Sequence, residues 1–386
     1  MTDRLRAAVV GGGIMGATSC LVLAGHGYAV RWFAPEEPPK REDGAQARAY
    51  ALTPDAVALL TSLGVWEGLA ERSRRVTTME IYPRGAETGV ARLQAADLSI
   101  DCLAQIVGHA DLLAACESAV QRVSSIRRDL RFPDRVRVGG EAFLAELSSS
   151  DTFDLIVAAD GADSPMRRYA GILSGRRDYG QTALVMAFES TVPHDGVACQ
   201  WFGEDRILAL LPLAHDRQLS MVYSLPTEEA RAWVRMSPQE IAHRVTGDSH
   251  ARWGMLSALN RPVTSPLVMT LVERPALGRM LLVGDAAHTV HPLAGYGLNL
   301  GMQDLRALEA GLANCASHAI PRQLQKIARQ RAGAVRRVQW GLDGLWRAMR
   351  LEMPGIQTAR RLGIHCLSAF PTLRRWLIAQ ALGPTA

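Results

Sequence analysis

Three glycines, Gly11, Gly13 and Gly16, stand in the spacing G-x-G-x-x-G after the apolar run Ala7–Val10 and before a helical stripe of Ile14, Cys20, Leu21 and Leu23. A strand, a tight turn and a helix in that order can bring free backbone amides and the positive end of a helix dipole against a pyrophosphate. The first Gly permits the turn, the second lets the backbone approach the phosphates, and the third lets the helix lie on the sheet. A purely structural turn is the plainer reading of the motif alone; its strand-turn-helix context points to a dinucleotide. Two further carboxylates follow buried-strand signals. Asp160 ends Leu155-Ile-Val-Ala-Ala159, and Asp285 follows Met280-Leu-Leu-Val-Gly284. Behind Asp285 come His288, His291, Pro292, Gly295, Tyr296, Gly297, Leu298 and Asn299: a carboxylate, a Pro-Gly turn, then a helix. His291 and Tyr296 are candidates for proton transfer or substrate contact, whereas His288 equally suits an anchor for its loop. No carboxylate or Cys stands at ligand spacing to these histidines, so no metal is expected.

These residues need a scaffold, and the pattern supplies one. A second strand is expected at Ala29–Phe33. A dinucleotide fold would place an acid at its end for the ribose hydroxyls, but the chain has Ala34 there, with Glu36 and Glu37 beyond Pro35. Either a neighbouring Glu substitutes or that contact is lost. Thr53-Pro54-Asp55 reads as a helix start, a hydroxyl cap followed by Pro. Short turn-bounded strands are expected from Val76 to Val107 and from Thr182 to Val272, and helix almost throughout from Leu298. An α/β nucleotide-type fold is thus interleaved with a sheet inserted in two pieces.

The chain has 386 residues, 48% hydrophobic and 21% charged, which suits a globular protein and excludes disorder as its main state. Its net charge of +5 is uneven. From Pro321 onward twelve basic residues face two acids, while the preceding 320 residues hold 31 bases and 36 acids. An acidic body with a basic end does not resemble a nucleic-acid coat, and no reader motif is present, so no nucleic-acid partner is expected. The longest apolar run, Ile207–Ala214, contains Pro212 and falls far short of the ~20 residues a membrane span needs. With no signal-peptide pattern and six scattered cysteines lacking a C-x-x-C pair, the expected compartment is the cytoplasm.

With three motifs in this order, the chain resembles the flavin-dependent aromatic hydroxylases that have a single FAD domain. Among them it is most similar to the ubiquinone-biosynthesis hydroxylases of the 2-polyprenylphenol type. The likeness runs almost end to end, through Arg48-Ala-Tyr-Ala-Leu-Thr53, His194–Phe202, Leu210-Leu-Pro-Leu213, Arg361-Leu-Gly363 and Pro371–Gly383. It implies an α/β chain: a Rossmann-like FAD-binding domain (1–75, 106–175 and 274–320), an inserted β-sheet substrate domain (76–105 and 176–273) and C-terminal helices (321–386). It implies FAD held by Gly11, Gly13 and Gly16 at the pyrophosphate, Arg48 on phosphate oxygens, and Asp285 on ribityl hydroxyls. Pro292, Gly295, Gly297, Leu298 and Asn299 would lie along the flavin ring, and Asp160 where FAD and NAD(P)H contacts meet. Tyr296 stands where the family has Gln.

The implied reaction uses NAD(P)H and dioxygen to hydroxylate the ring of a prenylated phenol. A soluble aromatic substrate is the first alternative, and a non-catalytic scaffold with weakened FAD binding the second. Phe188, Trp201, Phe202, Leu210 and Leu211 could line the pocket, though such residues more often form core. In the basic end, Leu373, Trp376, Leu377 and Leu382 accompany Arg374 and Arg375. Such a helix usually docks on its own protein; the other expectation is peripheral contact with the inner membrane or a partner protein.

Overall fold

The computed structural model describes residues 4–35, 48–82, 91–138, 145–147, 151–291 and 295–350. Glu36, Glu37, Pro292 and the expected C-terminal helix Phe370–Leu382 lie outside them.

Ala7, Ala8, Val9 and Val10 are all 0% exposed, so the strand Arg6–Val10 must be paired on both edges and covered on both faces. It runs parallel to Ala29–Phe33 on one side and to Leu155–Ala158 on the other. The full sheet has six strands in the order 276–277, 280–282, 155–158, 6–10, 29–33 and 126–129. Its connections leave the central strand in both directions, which opens a crevice at that strand's carboxyl end. Helices α1 (Ile14–Gly25), α2 (Pro54–Ser62) and α3 (His109–Gln121) pack on one face through Ala17, Leu21, Leu59 and Leu112. The short α4 (Pro165–Tyr169) covers the other through Met166, beside Phe33, Phe153 and Ile156. Thr53 caps α2 as its sequence suggests, accepting the amide of Ala56. Where an acid would bind ribose, Ala34 is fully buried.

The second large sheet has nine strands and is built on the long strand Gly175–Ser190. Thr78–Tyr82 enters it parallel to Val197–Phe202. Alternation along Val197–Phe202 sends Cys199 and Trp201 to one face and Ala198, Gln200 and Phe202 to the other. The first face is covered by α5 (Thr227–Val234) and α6 (Pro238–Asp248), which bury Trp233, Ile241 and Val245 against Phe188, Trp201 and Leu210. These two helices correct the expectation of strands throughout Thr182–Val272. Their local signal is a capping box: Ser237 accepts the amide of Glu240, and Glu240 accepts that of Ser237. A third, small sheet joins Ala49–Leu52, Ala104–Gly108 and Ser73–Val76.

The chain continues with α7 (Tyr296–Leu312) and α8 (Ile320–Arg350). Ile320, Leu324 and Ile327 of α8 join the core around the six-stranded sheet. Cys20, Cys102, Cys116, Cys199 and Cys315 are free thiols. No helix among the described residues is long and apolar enough to cross a membrane.

Candidate functional site

The glycine turn lies at the carboxyl end of the central strand. Gly11 has φ +128°, and a side chain there would meet the carbonyl oxygen of Ala159 at 2.2 Å. A Cβ on Gly16 would lie 1.9 Å from the Gly11 carbonyl oxygen, so the helix can approach the strand this closely only with Gly. Gly13 differs: it is exposed and a Cβ there would meet nothing within 4 Å. Gly13 also begins α1 without a capping side chain, and no acid occupies the first turn. The N-terminal amides of α1 therefore have no side-chain partner, the arrangement that can bind an anion.

Asp285 stands across the crevice, on the short turn Gly284–Ala286. It reaches solvent, yet the surrounding protein raises its pKa against the opposing pull of His288 and Arg48. Gly297, at the start of α7, leaves its vacant Cβ position 4.0 Å from Asp285 Oδ1. Arg48 Cζ lies 5.3 Å from the centre of the Tyr50 ring, and the Tyr50 hydroxyl is 3.0 Å from His109 Nδ1. Burial and the Arg48 charge hold His109 below its ordinary pKa. Tyr50 and His109 escaped the sequence reading, although His109 opens a helix whose Gly108 cap offers no side chain to its amides.

Asp160 is engaged locally. Its carboxylate accepts the Ser164 hydroxyl at 2.6 Å and the Met166 amide at 2.8 Å, fastening the start of α4. Burial raises its pKa against these bonds. Its partner Arg167 is buried and donates to the carbonyls of Ala286 and Ala162, both at 2.8 Å, tying this turn to the Asp285 turn.

The start of α7 is held by Asn299, which is 2% exposed. Its Oδ1 accepts the Thr53 amide at 3.0 Å, and its Nδ2 donates to Ala51 at 2.8 Å and Gly295 at 3.3 Å. Both ends of the amide are thus occupied by backbone, so Asn299 positions the helix start through its side chain. Gly295 takes the left-handed conformation there, φ +62°, and α7, like α1, has neither a capping side chain nor an acid in its first turn. Leu298 is half-buried against the core of the six-stranded sheet.

The two catalytic candidates part company. Tyr296 packs among Leu271, Val290, Leu300, Val335 and Val338, and burial pushes its phenol up to about 12. It is protonated at neutral pH and cannot serve there as a base. His291, 1% exposed, bridges to the large sheet. Gln181 Nε2 donates to the Asp205 carbonyl at 2.8 Å, which turns Oε1 toward His291 Nε2 at 3.1 Å. A carbonyl oxygen only accepts, so Nε2 carries the ring proton. Nδ1 is then a lone-pair nitrogen with no partner among the described residues, and burial depresses the imidazole to about 4.

His288 has the anchoring role. Its Nε2 is 2.7 Å from Asp304 Oδ2, which also accepts the Gly284 amide at 3.0 Å, while Asp304 Oδ1 accepts Arg331 of α8 at 2.8 Å. Burial would raise the pKa of Asp304, but His288 and Arg331 outweigh it and hold the carboxyl below its usual range. No metal-holding cluster occurs among the described residues.

Similar proteins match this chain over nearly their full length. The 3-demethoxyubiquinol 3-hydroxylase of Escherichia coli is 29% identical, covering 97% of this chain and 98% of that protein. The ubiquinone hydroxylase UbiL of Rhodospirillum rubrum is 28% identical over 97% of this chain and 89% of its own length. Among solved structures, Klebsiella pneumoniae HpxO complexed with FAD and uric acid superposes with a TM-score of 0.78 at 18% identity, covering 100% of this chain and 99% of that one. Residues 4–339 match the model of the FAD binding domain family. The chain belongs to that family and is an FAD-dependent monooxygenase.

Proposed function

We propose that the protein hydroxylates the aromatic ring of a (poly)prenylated phenol in ubiquinone biosynthesis, with NAD(P)H and dioxygen as co-substrates. The observation that carries this reading is the near-complete coverage of relatives named for ubiquinone hydroxylation. FAD suits the residues present: α1 starts uncapped at the exposed Gly13, and Asp285 on the Gly284–Ala286 turn is an exposed carboxylate. When bound, FAD would accept reducing equivalents from NAD(P)H and deliver them to dioxygen, one oxygen atom reaching the ring and the other leaving as water.

The chain's own part is to bind, orient and exclude. Gly11, Gly13 and Gly16 would admit the pyrophosphate, with Arg48 supplying a fixed cation. Asp285 would accept hydrogen bonds from the ribityl hydroxyls, the arrangement in which an anion near phosphates is favourable. The first turn of α7, with Gly295, Gly297 and Leu298, and Pro292 before it, would face the flavin ring, its amides stabilising negative charge there. Asn299 would set that turn, and Asp160 would hold the neighbouring turn near the nicotinamide's approach. The six-stranded sheet would form most of the FAD domain and the nine-stranded sheet the substrate domain.

The inner face of the nine-stranded sheet suits an apolar aromatic. Its register aligns Gln200, Ala209, Val222 and Val185 in one row. Ala209, Val222 and Val185 are half-buried and small, leaving room for a ring, and a dry wall limits wasteful loss of reduced oxygen. Phe202 and Leu211 belong to this face; Phe188, Trp201 and Leu210 belong to the core under α5 and α6. His291 Nδ1 would accept a hydrogen bond from a phenol hydroxyl. Its weak basicity fits orienting the hydroxyl more than removing its proton.

Anaerobic flavin reduction by NADH and by NADPH, with and without candidate phenols, tests the proposal. Acceleration by prenylated phenols is expected. Acceleration by soluble aromatics alone would move the substrate to tailoring metabolism, and a protein that loses its flavin absorbance on gel filtration would be a scaffold.

A further inference from the structure

We infer that the solvent face of α8 is a docking surface for an anionic lipid bilayer. Arg322, Lys326, Arg329 and Arg337 are exposed, and Trp340 is 70% exposed. At 3.6 residues per turn they fall within an arc of roughly 100° on one side of the helix. Arg331 lies opposite that arc and faces inward to Asp304. The one acid between Ile320 and Gly344 is Asp343, which is 14% exposed and paired with Arg177 at 2.8 Å. Among the described residues no carboxylate pairs with Arg322, Lys326, Arg329 or Arg337.

A row of cations with no carboxylate partner among the described residues, ending in an exposed indole, fits a flat anionic surface. The cations are drawn to acidic headgroups, each worth about fivefold in binding, and the indole suits the headgroup level. The placement of Trp340 strengthens the case. On one side of it, Gln339 donates to the carbonyls of Thr270 and Thr289, at 2.9 and 3.0 Å. On the other, Leu342 packs with Tyr179, Phe202 and Leu267 on the inner face of the nine-stranded sheet. The aromatic end of the stripe thus emerges beside the joint between that sheet and the Asp285 loop, where a ligand with a hydrocarbon tail would meet both the cleft and the bilayer.

Flotation of the full-length, flavin-loaded protein with vesicles tests this surface without any turnover, so its result is separate from that of the prenylated-phenol reading. Binding is expected to phosphatidylcholine vesicles containing phosphatidylglycerol, not to phosphatidylcholine alone, and should weaken with salt. Replacing Lys326, Arg329 and Arg337 together by Gln should lower apparent vesicle affinity roughly a hundredfold, with flavin content and circular dichroism unchanged. Trp340→Gln should lower it by a smaller factor. Wild-type protein that does not float with acidic vesicles at low salt would overturn the inference, even if it bound an acidic protein. A triple variant that floats as well as wild type would overturn it too.

Discussion

Two carboxylate regions follow opposite designs. On the outer side of the nine-stranded sheet, Glu80 is 3% exposed and nearly saturated. It accepts from Tyr82 at 2.7 Å, Arg92 at 2.5 Å, Arg252 at 3.1 Å and Cys199 at 3.5 Å. Burial alone would raise its pKa, yet these donors pull it down to about 2. In the crevice of the six-stranded sheet, Asp285 has Arg48 and His288 only at electrostatic range, and its pKa is raised. The first carboxylate is completed by the fold and locks strands and a loop together. The second is incomplete until something fills the cleft, as are the uncapped starts of α1 and α7. A site that binds a large polar cofactor has to leave such groups to solvent until the cofactor arrives.

Breaking the cleft at its backbone should have the largest effect. Gly16→Val forces side-chain atoms into the Gly11 carbonyl, 1.9 Å from the vacant Cβ position. The expected outcome is more than about 3 kcal/mol of lost stability, with no flavin absorbance in what remains soluble; purified yellow protein with wild-type Tm would refute the packing argument. Next comes the completed cluster. Glu80→Ala strands Arg252 and the Tyr82 hydroxyl, and because Arg92 is 62% exposed and can turn to water, the loss should be about 2–3 kcal/mol by urea unfolding. The pH dependence has a definite sign. A folded pKa of about 2 against an ordinary 4.5 means the contribution is complete above about pH 4.5 and fades as pH falls toward 2. Glu80→Gln should flatten that acid limb of the stability curve.

What the sequence revealed follows the same division. The glycine turn, the Thr53 cap and the strands at 155–158 and 280–282 are local features, written in consecutive residues, and the structure contains them. Asp285 and Arg48 could be named from motifs, but their grouping with Tyr50 and His109 depends on three separate segments meeting. The Gln181–His291 bridge joins residues 110 positions apart, across a bulge between Asp178 and Thr182 that no local pattern announces. Two signals were present and unread: the Ser237 capping box, and the Ser164-Pro165 start whose cap occupies the Asp160 carboxylate.

Asp285→Asn sharpens the comparison because it should improve one property and damage another. The raised pKa means that the ionised form is disfavoured in the folded apo-protein. Apo stability should therefore rise as pH falls through that pKa, and the neutral amide should raise the apo Tm at pH 7. Flavin affinity should fall about ten- to hundredfold, the loss of a charged acceptor on hydroxyls. A variant less stable when apo, with unchanged flavin affinity, would make Asp285 another Glu80.

The smallest effect is expected at Tyr296, which lies at the edge of the cleft but belongs with the completed regions. Its ring is 8% exposed, packed between α7 and α8, and its phenol stays protonated up to about pH 12. Tyr296→Phe keeps that packing and removes one hydroxyl, so stability should change by about 1 kcal/mol or less, and turnover with any accepted phenol by no more than about twofold. A pH–rate profile unchanged in shape would place the residue in the framework. If the variant lost turnover by orders of magnitude at unchanged Tm, its hydroxyl would belong to the reacting side of the cleft and the division drawn between the two regions would have to be moved.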